Sequence, residues 1–177
     1  MADPAGTAEP TDAGTADALR HDRQLCFAVY AASRALTGLY RELLAEVGLT
    51  YPQYLVLLVL WERGTLSVKE LGTALRLDSG TLSPLLRRME EAGLVRRRRE
   101  AADDRVVLVS ATPEGAALRA RVRGVPGRVL EATGMTAAEA AELRTALDRL
   151  TGSAGAAAAE LRARRTADGP EPAGADR

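Results

Sequence analysis

Apolar positions along this chain follow two different periods, and the change between them divides it into elements. From Asp17 to Glu46, Leu25, Val29, Ala32, Leu36, Leu39, Leu43 and Leu44 recur at spacings of three and four, which predicts one long amphipathic helix. Gly48 suits the turn that closes it. Thr50 can cap a second helix over Tyr51–Arg63, with Pro52 just inside its start. The run YLVLLVLW makes that helix apolar nearly all round and predicts deep burial. Ser67, with Glu70 three residues on, forms a capping-box pattern for a short helix to about Ala74. A turn at Leu75–Leu77 follows, and Asp78 or Ser79 caps the next helix, which runs to about Glu91 and ends at Gly93. Pro84 lies near the beginning of that helix, where it removes one backbone bond at most.

After Gly93 the period drops to two. Leu94–Arg99 and Arg105–Ser110 read as the strands of a β-hairpin, with AADD as its polar tip. Thr112 and Pro113 open a further long helix, expected to kink near Gly124, Pro126 and Gly127. A last helix starts after Thr136, with Glu139 as its capping partner, and carries Leu143, Leu147 and Leu150. The Ala-rich stretch to Arg165 can extend it, with a break between Gly152 and Gly155 as the alternative. The predicted fold is mainly α with a small two-stranded β-wing: a winged helix-turn-helix core over residues 51–111, flanked by helices over 17–46 and 112–165. The outer helices carry apolar stripes with too few partners in so small a chain, which predicts a homodimer.

Composition narrows the chemistry. The chain has 177 residues, 46% of them apolar but only 3% aromatic, so aliphatic side chains must build most of the core. One cysteine excludes an intrachain disulfide and a multi-cysteine metal cluster, and one histidine argues against triads and His-rich metal sites. No cofactor is expected. Residues 1–16 and 166–177 are small, polar and Pro/Gly-containing, and read as disordered tails. With no signal-like start and no apolar run long enough for a membrane, the expected location is the cytoplasm, in one ordered domain over 17–165.

The formal net charge is 0, from 24 Lys+Arg and 24 Asp+Glu, yet the basic side chains are not spread evenly. Ser79, Thr81 and Ser83 stand on the first turns of the predicted recognition helix, where base edges are read. Arg76, Arg87 and Arg88 can reach phosphates, and the helix N-terminus itself favours them. Of Arg96–Arg99, strand alternation lets about half face DNA, with Arg97 and Arg99 the candidates. Arg105 can enter a minor groove, held by Asp103 through a charge-assisted pair. Arginines on an edge strand can also serve only to keep it solvated. Helix, helix and wing together favour double-stranded DNA, with a strong fall in affinity as salt rises.

Cys26 lies in LCFAVY on the apolar side of the first helix, one turn from Tyr30. All four tyrosines, Tyr30, Tyr40, Tyr51 and Tyr54, fall in the first third of the chain. Phenolic hydroxyls can donate to a thiolate, which is the reactive form of a sensor cysteine. A small buried hydrophobe is the other reading of a lone cysteine, and spacing does not decide between them.

The stretches LCFAVYAASRALTGLYRELL (25–44), LTYPQYLVLLVLWE (49–62), LSVKELGTALRLDSGTLSPLLRRMEEAGLVRRRR (66–99) and DDRVVLVSATPEG (103–115) resemble the MarR family of winged-helix regulators. Within it they are similar to the organic hydroperoxide resistance repressors of the one-cysteine type, over about residues 20 to 150. The resemblance implies a homodimeric repressor that is not an enzyme. Cys26 matches the peroxidatic sensor, Tyr40 and Tyr51 the tyrosines that bond it from the other subunit, Tyr30 a third tyrosine of the pocket, and Asp103 and Arg105 the wing's Asp-x-Arg motif. Many relatives carry a second, resolving cysteine, and this chain has none. Val106 stands where many carry a polar or basic residue. The implied mechanism has the reduced dimer on a pseudo-palindromic operator. An organic hydroperoxide oxidises Cys26 to sulfenic acid, a small cellular thiol completes a mixed disulfide, and a peroxide-detoxification gene is derepressed. The competing readings are a repressor released by a non-covalent small aromatic ligand, a thiol peroxidase using Cys26, and a winged helix that binds only protein.

Overall fold

The computed structural model describes residues 20–101 and 103–167. Residues 1–19, Ala102 and 168–177 lie outside that description, and with them most of both predicted tails. The chain divides into two compact units, up to Val129 and from Leu130 onward, and each is described by itself.

The first unit opens with a 3-10 turn, His21–Arg23, and helix α1, Leu25–Ala45, which therefore begins later than the period alone indicated. Gly48, at φ +70°, turns the chain so that the Leu49 N–H reaches the Leu44 carbonyl at 3.3 Å. Helix α2, Tyr51–Arg63, follows; the Thr50 N–H donates to the Gln53 side chain at 2.8 Å, and Pro52 stands in its first turn. Then come strand β1, Leu66–Ser67, helix α3, Val68–Leu75, helix α4, Ser79–Glu91, strands β2, Val95–Arg99, and β3, Val107–Ala111, and helix α5, Pro113–Arg121. Ser67, Asp78 and Thr112 cap α3, α4 and α5 through side-chain oxygens.

The expected two-stranded wing is the β2–β3 hairpin, and β1 adds a third strand on β3, giving an antiparallel sheet in the order β1-β3-β2. Leu66 pairs with Val109 and Ser67 with Leu108. A two-residue strand carries no alternation of its own, so only its partner reveals it. The predicted kink near Gly124 is a full break: α5 stops at Arg121 and helix α6, Val125–Thr133, starts afresh.

The core sits around α2, which packs against α1, α3, α4, α5 and β3. Tyr54, Val56, Leu57 and Leu60 of α2 meet Leu71 of α3, the inner stripe Leu82, Leu85, Leu86 and Met89 of α4, and Val95 and Val109 of the sheet. Trp61 Nε1 donates to the Gly115 carbonyl at 3.0 Å and ties α2 to α5. In contrast, α1 buries only Leu44.

The second unit is dominated by helix α7, Ala137–Ala167, capped reciprocally by Thr136 and Glu139. It runs unbroken through Gly152 and Gly155, so the alternative of a break there is not realised, and Thr166 and Ala167 belong to it rather than to a tail.

Candidate nucleic-acid interface and sensor cysteine

The recognition helix is aimed by its turn. The Leu77 N–H bonds to the Gly72 carbonyl at 2.9 Å, and a Cβ on Gly72 would lie 2.9 Å from the Leu77 carbonyl oxygen, so glycine lets the two helices close. Arg76 takes a left-handed φ of 54° between them. Asp78 then accepts from the Thr81 N–H at 2.9 Å and the Thr81 hydroxyl at 3.0 Å. Those bonds hold its carboxyl below the usual range and fix the first turn of α4. Thr81 is thus bound into the cap, while Ser79 and Ser83 stand exposed beside it.

A concavity of about 770 Å³ lies between the helix-turn-helix and the wing. Arg76, Ser79, Ser83, Arg97 and Arg105 all line it, so five of the residues expected at DNA share one surface. Lys69 and Thr73 of α3 line it too. Their only signal in the sequence is a polar face on the first helix of the pair, which spacing alone does not assign to DNA. Arg87, Arg88 and Arg99 are exposed outside this concavity, and Arg87 lies 4.0 Å from Glu91 along α4.

Two wing arginines have different roles. Glu90 accepts from the Arg97 backbone N–H at 2.8 Å and from its Nε at 2.8 Å, with Nη2 at 2.7 Å. The guanidinium bonds hold the Glu90 carboxyl below its ordinary range. Arg97 therefore braces the wing against the end of α4, with its guanidinium bonded to Glu90. Arg105 is 92% exposed, and the Asp103 carboxylate accepts from its N–H at 3.0 Å and its Nε at 3.3 Å. The tip thus presents one guanidinium steered by the neighbouring acid.

Cys26 is the second residue of α1 and is exposed, so the buried-hydrophobe reading does not hold within this chain. Tyr30, one turn on, is 57% exposed, and Arg34 Nη1 donates to its hydroxyl at 3.4 Å with Cζ 5.7 Å from the ring centre. At the other end of α1, Tyr40 packs on Tyr51 with ring centres 4.4 Å apart and lies 5.8 Å from Tyr54. Burial raises all three phenols above their ordinary value, and for Tyr40 the neighbouring Tyr51 and Tyr54 add to it, so each remains a protonated donor. A rise of 1.5 Å per residue separates Cys26 from Tyr40 by about 21 Å along α1. The predicted sensor residues thus form two groups, Cys26 with Tyr30 and Tyr40 with Tyr51, which one chain cannot bring to hydrogen-bond distance. Among the described residues no group of acidic, His or Cys side chains could hold a metal, and no helix is long and apolar enough to cross a membrane.

Residues 49–107, from just after α1 to the first residue of β3, match the MarR family model. The chain is also 46% identical over 131 residues to the organic hydroperoxide resistance transcriptional regulator of Bacillus subtilis, covering 74% of this chain and 89% of that one. The chain belongs to the MarR family. Another relative is the HTH-type transcriptional regulator TtmR of Methylorubrum extorquens, 54% identical over 73% of this chain and 65% of that protein. Among solved structures, reduced AbfR bound to DNA superposes with a TM-score of 0.65 at 31% identity, over 78% of this chain and 97% of that one. In MarR terms, α3 and α4 are the helix-turn-helix and β2–β3 the wing.

Proposed function

We propose that this protein is a homodimeric, redox-sensing transcriptional repressor that leaves operator DNA when an organic hydroperoxide oxidises Cys26. It is a DNA-binding regulator and not an enzyme. The observation that carries the reading is the combination of an exposed lone cysteine on α1 with a built DNA-reading surface, in a chain 46% identical to an organic hydroperoxide resistance regulator. The basic concavity and the tip guanidinium of Arg105 supply phosphate and groove contacts, and Ser79 and Ser83 face the bases. A pseudo-palindromic operator follows from a twofold dimer.

In the reduced dimer Tyr40 and Tyr51 of one subunit meet Cys26 of the other, since the same chain's α1 separates them by about 21 Å. Their protonated hydroxyls donate to the thiolate. The thiolate sulfur attacks the peroxide, the O–O bond breaks, one oxygen becomes the sulfenic acid and the alcohol leaves. No second cysteine exists to resolve it. A small cellular thiol attacks the sulfenic sulfur, water leaves, and a mixed disulfide remains. Its bulk displaces the tyrosines, and α2, which begins at Tyr51 and packs on α3 and α4, carries the shift to the reading heads. A bulky adduct is favoured as the releasing species because overoxidised AbfR is bound to DNA. The target gene would detoxify peroxide.

Replacing Cys26 with Ser tests the reading. The wild-type chain should lose its mobility shift on its own upstream DNA after organic hydroperoxide and a small thiol, whereas C26S should keep it. A C26S protein that still leaves DNA under hydroperoxide would overturn the redox reading and favour a non-covalent ligand. Mass spectrometry of the oxidised wild type should find one thiol adduct per chain, on Cys26.

A further inference from the structure

We propose that Arg34 is a positioning residue for the sensor, which turns the Tyr30 hydroxyl into a donor for the Cys26 thiolate. The proposal rests on the redox reading above and adds a residue to it. Cys26, Tyr30 and Arg34 follow one another at spacings of four, so they form one stripe along the first three turns of α1. Side chains on a helix lean toward its N-terminus, so Arg34 reaches back over Tyr30, and the same lean directs Tyr30 toward the turn of Cys26. Arg34 Nη1 donates to the Tyr30 hydroxyl at 3.4 Å, with Cζ 5.7 Å from the ring centre, so the guanidinium rests on the phenol. The residues three and four positions from Arg34 are Tyr30, Ala31, Thr37 and Gly38, none of them acidic. No neighbouring carboxylate on α1 competes for the guanidinium, whose charge acts on the phenol oxygen.

That contact fixes what the hydroxyl can do. A phenol has one O–H donor and accepts on its oxygen. With Arg34 donating to the oxygen, the O–H proton is left to donate elsewhere. Donation from a cation polarises the hydroxyl, and hydrogen bonds in a chain strengthen one another. The polar side chain one turn toward the N-terminus is Cys26. The run from guanidinium to hydroxyl to thiolate then sets a positive charge behind the donor and the negative sulfur in front of it. Arg34 itself stands eight residues from Cys26, about 12 Å along α1 at 1.5 Å per residue. That exceeds the Debye length of about 8 Å at physiological salt, and Arg34 is exposed, so its charge reaches the sulfur only weakly through solvent. Its effect must pass through Tyr30. Neither Arg34 nor Tyr30 changes protonation in the reaction or gives an atom to it. Tyr30 acts from the sensor's own subunit and Tyr40 and Tyr51 from the other, so the thiolate is held from both sides.

The kinetics of thiol loss test this on the full chain. Free thiol is counted over time after cumene hydroperoxide is added to the reduced protein. Arg34→Met keeps an unbranched, helix-favouring stem at an exposed position and removes both the donor and the charge. It should slow thiol loss by about three- to tenfold, the range of one ordinary hydrogen bond. Arg34→Lys keeps a cationic donor and should recover most of the wild-type rate. Tyr30→Phe should be at least as slow as Arg34→Met, and combining the two should slow the reaction no further than Tyr30→Phe alone. Wild-type speed in Arg34→Met overturns the proposal. An Arg34→Lys rate no better than that of Arg34→Met also overturns it, because the effect would then be packing. Equal slowing by Arg34→Met with and without the Tyr30 hydroxyl does the same, since Arg34 would not be acting through the phenol. A wild-type thiol that survives the hydroperoxide overturns the redox reading itself, and the proposal with it.

Discussion

Helices α1 and α2 invite comparison because their sequences look equally helical and their surroundings differ. Helix α2 has 13 residues and buries Tyr54, Val56, Leu57 and Leu60, at 0–3% exposure. Helix α1 has 21 residues and buries Leu44 alone, leaving Leu25, Phe27 and Tyr30 in the open. The winged region completes its own core, whereas α1 carries an apolar face that the described residues of its own unit leave exposed. An amphipathic stripe therefore identifies a helix and its inner face, but not which molecule supplies the other side. In a repressor that must couple a sensor to a reading head, that division has a use: the part that reads DNA keeps its shape while the uncovered helix is available to a partner.

The largest expected effect would break the comparison at its strong end. Leu86→Ala removes a side chain 1% exposed in the winged core and should cost about 2–5 kcal/mol in denaturant unfolding, the same at every protein concentration. Leu36→Ala, on a side chain 38% exposed in α1, should cost little at high dilution and more as concentration rises, because only association covers it. An equal, concentration-independent loss at Leu36 would mean that α1 is already packed within the chain.

Next in size is the wing tip. Arg105→Ala should leave unfolding unchanged and weaken operator binding by about 1–3 kcal/mol, with the dependence on salt shallower by about one unit of slope. Asp103→Asn should have the same sign and a smaller effect, since the arginine remains and only its steering is lost. Affinity measured at two salt concentrations checks both. If Arg105→Ala binds as tightly as the wild type, the tip does not enter the interface.

The smallest effect concerns the brace. Glu90→Gln should destabilise the chain by roughly 0.5–1 kcal/mol at neutral pH, because the pair with Arg97 is about one-third exposed and screened by water. The Glu90 carboxyl is held below its ordinary 4.5, so the pair's contribution is complete above that pH and vanishes as pH falls through the lower, folded value. Unfolding curves of the wild type and the variant should therefore converge in acid and separate toward neutrality. A difference that persists at low pH would assign the effect to packing.

Local signals were legible along most of the chain. Ser67 with Glu70, Asp78, Thr112 and Thr136 with Glu139 all cap where their side chains indicated, because a cap is decided within four residues. Arg105 with Asp103 was legible for the same reason. What escaped needed a distant partner. Strand β1 exists because β3 offers it hydrogen bonds, and the bond from Arg97 to Glu90 joins a strand to a helix seven residues earlier. Alternation put about half of the wing arginines on one face, but it could not tell that Arg97 would turn to Glu90. Lys69 and Thr73 escaped because the concavity exists only once α3, α4 and the wing are assembled.

By itself the sequence determined most of the elements, their caps, the family and the single thiol on which the proposed chemistry depends, since periods, caps and residue identity are local properties. Tertiary structure decided which arginine braces the wing and which stands exposed at the tip, that the concavity gathers residues from two helices and a wing, and that Cys26 and Tyr40 sit toward opposite ends of one helix. Those are distances between residues far apart in the chain. They follow from how the helices and strands pack, which no spacing along the sequence records.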